Sequence, residues 1–377
     1  MSISNLNRIV RVDISLNMPP VDVSSFDHLL IIGPPPVNPT GNIRPVEIYS
    51  DLLEVTSAGY VSTGANADPV GAAARIAFSQ MPRPDHIFVT NYTPKKNKPP
   101  KDDDKDKNND YITDPSLETV LNTTLKTNGW YVLCPAGIGT EYYHQIAQWT
   151  ESQRKMFAYS FLSEADPVPD IFMRSHGWCG LVDEVDLSLT PQDNHYAHIA
   201  ATARTLVYPA GSETWNLKNI SSITPGALST TLFRMFEEGN SNWIERIAGT
   251  VRTRNGKVRG GEWIDTIRFR DWLQNDLQLR ILEVLTSKSK IAYTDAEIDI
   301  IHNALIAGLK NAQRRGGIAP NEYDESGNPV PGFTTSVPNA SSLTARQRHS
   351  RRLEDVTFQA RLAGAIHFVH VRGNLSP

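Results

Sequence analysis

From Phe26 onward the chain alternates short apolar runs with amphipathic stretches about a dozen residues long. The runs at 28–33, 86–91, 130–134 and 156–162 read as buried strands, and 69–80, 115–126 and 140–152 read as helices, the first of them rich in alanine. Strands that recur with a helix between them form an α/β layer around a largely parallel sheet, because a parallel connection needs a long crossover. The expected fold class is α/β, with an α/β layered domain over residues 21–215.

Both ends carry a strand pattern that this layer does not account for. Val10, Val12, Ile14 and Leu16 fall on one face of residues 8–16, and Pro19 and Pro20 then stop the strand by withholding amide donors. At the other end Val356, Phe358, Ala360 and Leu362 alternate with polar residues, and after Gly364 a second apolar run at 365–371 includes Ile366 and Phe368. A strand beside a free end, cut off from its neighbours, has to find a partner elsewhere. Residues 1–20 and 364–377 are therefore expected to be β arms.

The middle of the chain changes texture twice. Residues 95–114 hold no apolar side chain before Tyr111 and so cannot bury anything, which predicts a mobile charged loop. Asp102, Asp104, Asp106 and Asn108 imitate the start of a calcium loop, but Lys107 and Thr113 stand where the glycine and the final glutamate belong. Past residue 215, a hairpin is expected over 242–264 with its tight turn at Asn255-Gly256. A long helix follows, with Leu273, Leu277, Ile281 and Leu285 inward and Asp271, Asn275, Asp276 and Gln278 outward. Thr294 and Glu297 form a capping box for a further helix with Ile298, Ile301, Leu305 and Leu309 on its apolar face. That helix ends at Gly316-Gly317, with Lys310, Arg314 and Arg315 near its negative end. Residues 216–363 are expected to be an α+β domain.

Composition narrows the functional classes. With 40% hydrophobic and 21% charged residues the chain can bury a core, and no apolar run approaches the ~20 residues of a membrane helix. The first twenty residues lack the apolar core of a secretory signal, so none is expected. The 2 cysteines, Cys134 and Cys179, are too few for a disulfide framework or a four-thiolate zinc site, which suits a reducing cytoplasm. Residues 1–215 carry 16 Lys and Arg against 25 Asp and Glu, whereas 216–377 carry 21 against 16, so the halves differ in sign. Two domains with different partners, or a polymer whose unlike faces meet, would show such a division. The basic runs at 252–259 and 346–352 lack the interleaved aromatics of nucleic-acid modules, and an acidic protein face accounts for them as well.

No catalytic, cofactor or metal residue is predicted. There is no phosphate loop, no zinc helix and no nucleophile elbow, and the segment after the first strand puts Pro34, Pro35 and Pro36 where a dinucleotide fingerprint needs glycine. His195 and His198 are spaced to share a metal on a helix but lack a third ligand, and His367 and His370 fall on opposite faces of a strand. Cys179 has only the adjacent His176 as a base, so packing is the expected role of that thiol.

Residues 8–16 followed by 26–33, the segment 249–271 with Gly256, Gly261, Trp263, Ile264, Asp265, Ile267 and Arg268 and then Trp272, and the ending 362–369 together resemble contractile phage tail sheath proteins. The resemblance spans nearly the whole chain, in a compact version without extra outer domains. It implies that the terminal arms, through Val10, Val12, Ile14, Leu16, Ile366 and Phe368, add strands to the C-terminal sheets of neighbouring subunits. It also implies rings of six stacked into a helical homo-oligomer around a tail tube protein, with baseplate and tail terminator proteins as further partners and neither membrane nor nucleic acid. Contraction is then a rigid-body rotation of subunits in the virion tail, assembled in the host cytoplasm, without cofactors and without catalysis. Lys310, Arg314 and Arg315 are the candidate tube contact. Two alternatives stay open: the sheath of a type VI secretion or extracellular injection apparatus, and an α/β enzyme with an unrecognised site.

Overall fold

In a computed structural model of the chain, which describes residues 25–40, 44–94 and 114–373, the first apolar run becomes β1 (Leu29–Gly33), buried at every position. The N-terminal arm with Val10, Val12, Ile14 and Leu16, the loop over 95–113 and residues 374–377 lie outside the described residues. Around β1 the chain adds β2 (Glu47–Tyr49), α1 (Leu52–Ser57), α2 (Pro69–Phe78), β3 (Ile87–Asn91), α3 (Pro115–Thr124), β4 (Val132–Pro135), α4 (Tyr143–Gln153), β5 (Met156–Phe161) and β6 (Ser175–Cys179). It continues with α5 (Ala197–Leu206), α6 (Thr230–Glu238), β7 (Asn242–Ile247), β8 (Thr250–Arg254) and α7 (Ile264–Ser287). The strands make one eight-stranded sheet in the order β2-β3-β1-β4-β5-β6-β7-β8. The six central strands are parallel, and only the edge strands β2 and β8 run antiparallel to their neighbours. Covered parallel strands need no polar face, which is why they appear in sequence as continuous apolar runs.

Small side chains set the layer spacing. Ala73, Ala74 and Ala77 of α2 are fully buried, and Gly33 ends β1 where an added Cβ would lie 2.3 Å from the Ala136 carbonyl oxygen. A side-chain cap begins α3, where the Asp114 carboxylate accepts from the Ser116 amide at 2.8 Å.

Two expectations about this half are corrected. The hairpin turn lies at Ala248-Gly249, both at positive φ (49° and 81°), because Ile247 pairs with Thr250. Asn255 and Gly256 do have positive φ (71° and 107°), but they end β8. The Asn242 side chain accepts from the amides of Gly256 and Lys257 at 2.6 and 2.8 Å, which draws the chain out of the ladder. Positive φ is a local property, and the dipeptide does not say whether a strand resumes on its far side. The second correction concerns α7, where Asp271, Asn275 and Gln278 are buried and Asp276 is half-buried.

Asp271 is buried because it is paired. It accepts from the two terminal guanidinium nitrogens of Arg174 at 2.8 and 3.1 Å, from Arg270 at 2.6 Å and from the Tyr131 hydroxyl at 2.7 Å. Burial alone would raise its carboxyl pKa, but Arg174 and then Arg270 outweigh burial and hold it below the usual carboxylate range. Three residues earlier, the buried Arg268 donates to the carbonyls of Phe26, Leu206 and Tyr208 and to Asp27 and Glu213.

The sheet passes through β7 and β8 without a break, so the first compact unit of the described chain runs from 25 to 271, past the change at 215. The change at 215 is one of charge and texture and does not interrupt the sheet.

The second unit covers 272–373. It holds the rest of α7, then α8 (Asp295–Arg315), β9 (Glu322–Tyr323), β10 (Pro329–Val330), β11 (Phe333–Ser336), α9 (Ala345–Ser350) and β12 (Thr357–Ala360). The Thr294 side chain accepts from the Glu297 amide and Gly316 closes α8 at φ 89°, as the sequence suggests. Ile298, Ile301, Leu305 and Leu309 are buried. Gly308 lets α7 approach α8, since a Cβ there would lie 2.4 Å from Leu277.

Replacing Asp271 by Ala strands the Arg174 guanidinium in a dry interior. A loss of about 3–5 kcal/mol is expected in urea unfolding followed by circular dichroism; a loss below about 1 kcal/mol would show that the network is not structural.

Candidate functional site

Chemistry-bearing side chains inside the first unit are used for packing. His198, on α5, is fully buried: its Nδ1 lies 2.7 Å from Ser160 Oγ and its Nε2 3.0 Å from the Pro135 carbonyl. Both ring nitrogens are engaged, and His195 belongs to the separate short helical turn Gln192–Tyr196, so the two do not meet at a metal. The Ser160–His198 contact resembles half of a catalytic pair, but both residues are buried and burial pushes His198 down to about 3. His176 is likewise pushed down to about 3, first by burial and then by His198, and its Nδ1 accepts from the Trp178 indole at 2.9 Å. Cys134 and Cys179 are buried and free, and burial pushes the Cys179 thiol up to about 12, so it stays a thiol and packs as expected.

One cluster escaped the sequence reading. The parallel register of β1 and β3, which sets Leu30 beside Phe88, brings His28 and His86 together just before the two strands begin. Their rings stack with centroids 3.8 Å apart. Asp85 faces both: Oδ1 lies 2.8 Å from His28 Nε2, and Oδ2 lies 3.2 Å from His86 Nδ1. No spacing rule reveals such a trio, because the register joins residues 57 positions apart.

The second unit shows a different kind of site. β11 and β12 form a separate two-stranded antiparallel sheet, with Phe333 opposite Ala360 and Ser336 opposite Thr357. A lone pair of strands is marginal by itself, and the edges of so small a sheet are where a further strand can pair; from α8, His302 Nε2 lies 2.7 Å from the Thr335 hydroxyl of β11. Beyond β12 the chain stays tied through Ala363, whose amide donates to the Gly317 carbonyl at 3.1 Å. The strand expected after Gly364 is not formed within this single chain: 364–373 has no strand, and Ile366, Phe368, Val369 and Val371 are 84%, 83%, 70% and 82% exposed. Each such side chain forgoes about 1.5–3 kcal/mol of burial. Together they make one exposed apolar segment.

The basic end of α8 divides. Lys310 and Arg314 are exposed, whereas the Arg315 guanidinium lies 4.2 Å above the Trp272 ring. In the C-terminal segment His367 is half-buried and His370 exposed.

No protein-family model and no curated protein sequence matches the chain. Solved structures do. The helical sheath of the anti-feeding prophage in its contracted state superposes with a TM-score of 0.67 over 97% of this chain and 98% of that one, at 10% identity. The contracted sheath complex of the extracellular contractile injection system PVC gives 0.62 over 97% of both chains, also at 10% identity. A sheath tail protein from Desulfitobacterium hafniense gives 0.54 over 86% of this chain and 93% of that one, at 8% identity. The chain has the fold of contractile sheath proteins.

The buried imidazoles predict a specific acid response. An unfolded histidine titrates near 6.5, so between about 6.5 and 3 the unfolded chain binds protons that native His176 and His198 refuse, and stability falls as the pH drops. Each contributes a slope of about 1.4 kcal/mol per pH unit. Asp265, pushed up to about 6 first by burial and then by Glu213, acts with the opposite sign below that pH. The comparison is therefore between the native protein and His198→Gln in urea melts from pH 7.5 to 5, where the variant is expected to show the shallower slope. Equal slopes would mean that His198 is protonated in the folded state.

Proposed function

We propose that the chain is the structural subunit of a contractile sheath. Copies stack as rings of six into a helical polymer around a tail tube, and the polymer shortens by rigid-body rotation of its subunits to drive the tube through a host envelope. The observation that carries this reading is the two-way match with a contracted helical sheath, over 97% of this chain and 98% of its counterpart. The work is mechanical. Energy comes from contacts formed between subunits on contraction, and the chain catalyses no reaction and needs no cofactor. Its partners are further copies of itself, the tail tube protein, and the baseplate and tail terminator proteins, in a virion tail assembled in the host cytoplasm.

Strand addition supports the reading physically. A strand that joins a neighbour's sheet contributes main-chain hydrogen bonds and places alternate side chains in pockets, and it keeps those bonds while the bodies it joins rotate. The arms are the N-terminal residues Val10, Val12, Ile14 and Leu16 and the C-terminal Ile366 and Phe368, whose side chains are 84% and 83% exposed in the single chain. Head-to-tail contacts that do not close on themselves build a helix. A second reading, the sheath of an extracellular injection apparatus, draws on chain length: sheaths of that kind align with 97% of this chain, against 86% for the sheath tail protein.

Removing residues 366–377 is expected to leave a folded subunit, within about 1 kcal/mol of the parent in urea melts, because Ile366, Phe368, Val369 and Val371 are exposed and bury little in it. The full chain is expected to form cylinders under negative-stain microscopy, and the same deletion, like deletion of residues 2–16, is expected to abolish them. Regular cylinders from either truncated protein would rule out strand exchange. Charge reversal at Lys310 and Arg314, with Arg315 spared because it packs on Trp272, is expected to weaken assembly on the tube. The loss should be greatest near 0.01 M salt, where the screening length is about 30 Å; unchanged assembly there would remove these residues from the interface.

A further inference from the structure

The geometry points to a binding site for a borderline divalent cation of the zinc class, formed by His28, Asp85 and His86 at the start of β1 and β3. His28 is anchored from behind, its Nδ1 lying 3.1 Å from both the Gly129 carbonyl oxygen and the Ser25 hydroxyl. Its Nε2 faces Asp85 Oδ1 at 2.8 Å, so the nitrogen and the carboxylate address one place, which either a proton or a metal ion can occupy. A backbone carbonyl that fixes the far nitrogen is also the usual support behind a metal-bound histidine.

The other ligands converge on the same place. His86 Nδ1 lies 3.2 Å from Asp85 Oδ2, so each carboxylate oxygen faces one imidazole. One ligand atom from each of the three residues lies within 4.8 Å of the other two. Donors bonded at ~2.1 Å to one tetrahedral ion lie about 3.4 Å apart, so a small inward movement closes the set. That movement falls to Asp85, which is 76% exposed although its Oδ1 also accepts from the His86 amide at 2.9 Å, while the imidazoles at 15% and 26% stay anchored. Two imidazoles and one carboxylate suit zinc, nickel or copper, whereas magnesium and calcium require mostly oxygen ligands. Three protein ligands leave a fourth position open to water or to a group from another molecule.

The test is isothermal titration of zinc sulfate into the full-length protein after dialysis against EDTA, with magnesium chloride as the comparison. One saturable zinc site per chain is expected, weakened at least about tenfold in Asp85→Asn and in His86→Gln, with no heat from magnesium. Asp85 is exposed enough that its variant should keep the native circular dichroism spectrum. Cobalt(II) loaded into the unmutated protein gives a second readout, the intense visible absorption of a four-coordinate ion. Zinc binding equally tight in both variants would place the metal on other histidines and overturn the proposal. So would titrations that do not saturate, or a cobalt spectrum like that of the hydrated ion.

Discussion

Arg268 imposes the constraint on which the first unit depends. Its guanidinium is 0% exposed and carries five donors in a rigid fork, and a buried donor without an acceptor costs more than the bond it would have made. The chain supplies acceptors from three separate stretches: Phe26 and Asp27 before β1, Leu206 and Tyr208 at the end of α5, and Glu213 beyond it. Asp271, one turn along the same helix, does the same for Arg174. Together the two charges fix the first turns of α7 to the entry of the central strand and to the β6 side of the sheet. A buried ion pair gives little net stability compared with an apolar replacement, but it specifies one arrangement over others, because every alternative leaves a charge unpaired.

The second unit answers to a different constraint. Its helices bury Ile298, Ile301, Leu305 and Leu309, but its β11–β12 sheet has only two strands, and the segment after it exposes its largest apolar side chains. The first unit satisfies its core within the chain, whereas the second leaves a two-stranded ribbon and an exposed apolar segment, and the fold is that of contractile sheath proteins.

Much of this was legible in the sequence, and what was not has a physical reason. The central strands could be read because burial on both faces leaves a continuous apolar run, and α8 because Thr294 and Gly316 mark its ends with local chemistry. The hairpin turn was misplaced, since Ala248-Gly249 reaches positive φ with an alanine that carries no turn signature, while the more conspicuous Asn255-Gly256 bends the chain elsewhere. Asp271 was assigned to the solvent face because a charged residue at that helical position is usually exposed, and partners distant in sequence, Arg174 at 97 residues and Tyr131 at 140, together with Arg270, make it a buried one. The His28–Asp85–His86 trio was invisible for the same reason, being created by strand register. The apolar run after Gly364 carries a strand pattern in sequence but forms no strand within the single chain, because alternation states a preference for pairing and not a partner.

The most direct test of the sheath account is cryo-electron microscopy of the full-length protein concentrated to assembly. The account predicts a helical cylinder in which residues 364–373 of one copy are paired as a strand with the β11–β12 sheet of another. A protein that stays monomeric at high concentration, or a cylinder in which that segment pairs only within its own subunit, would contradict it.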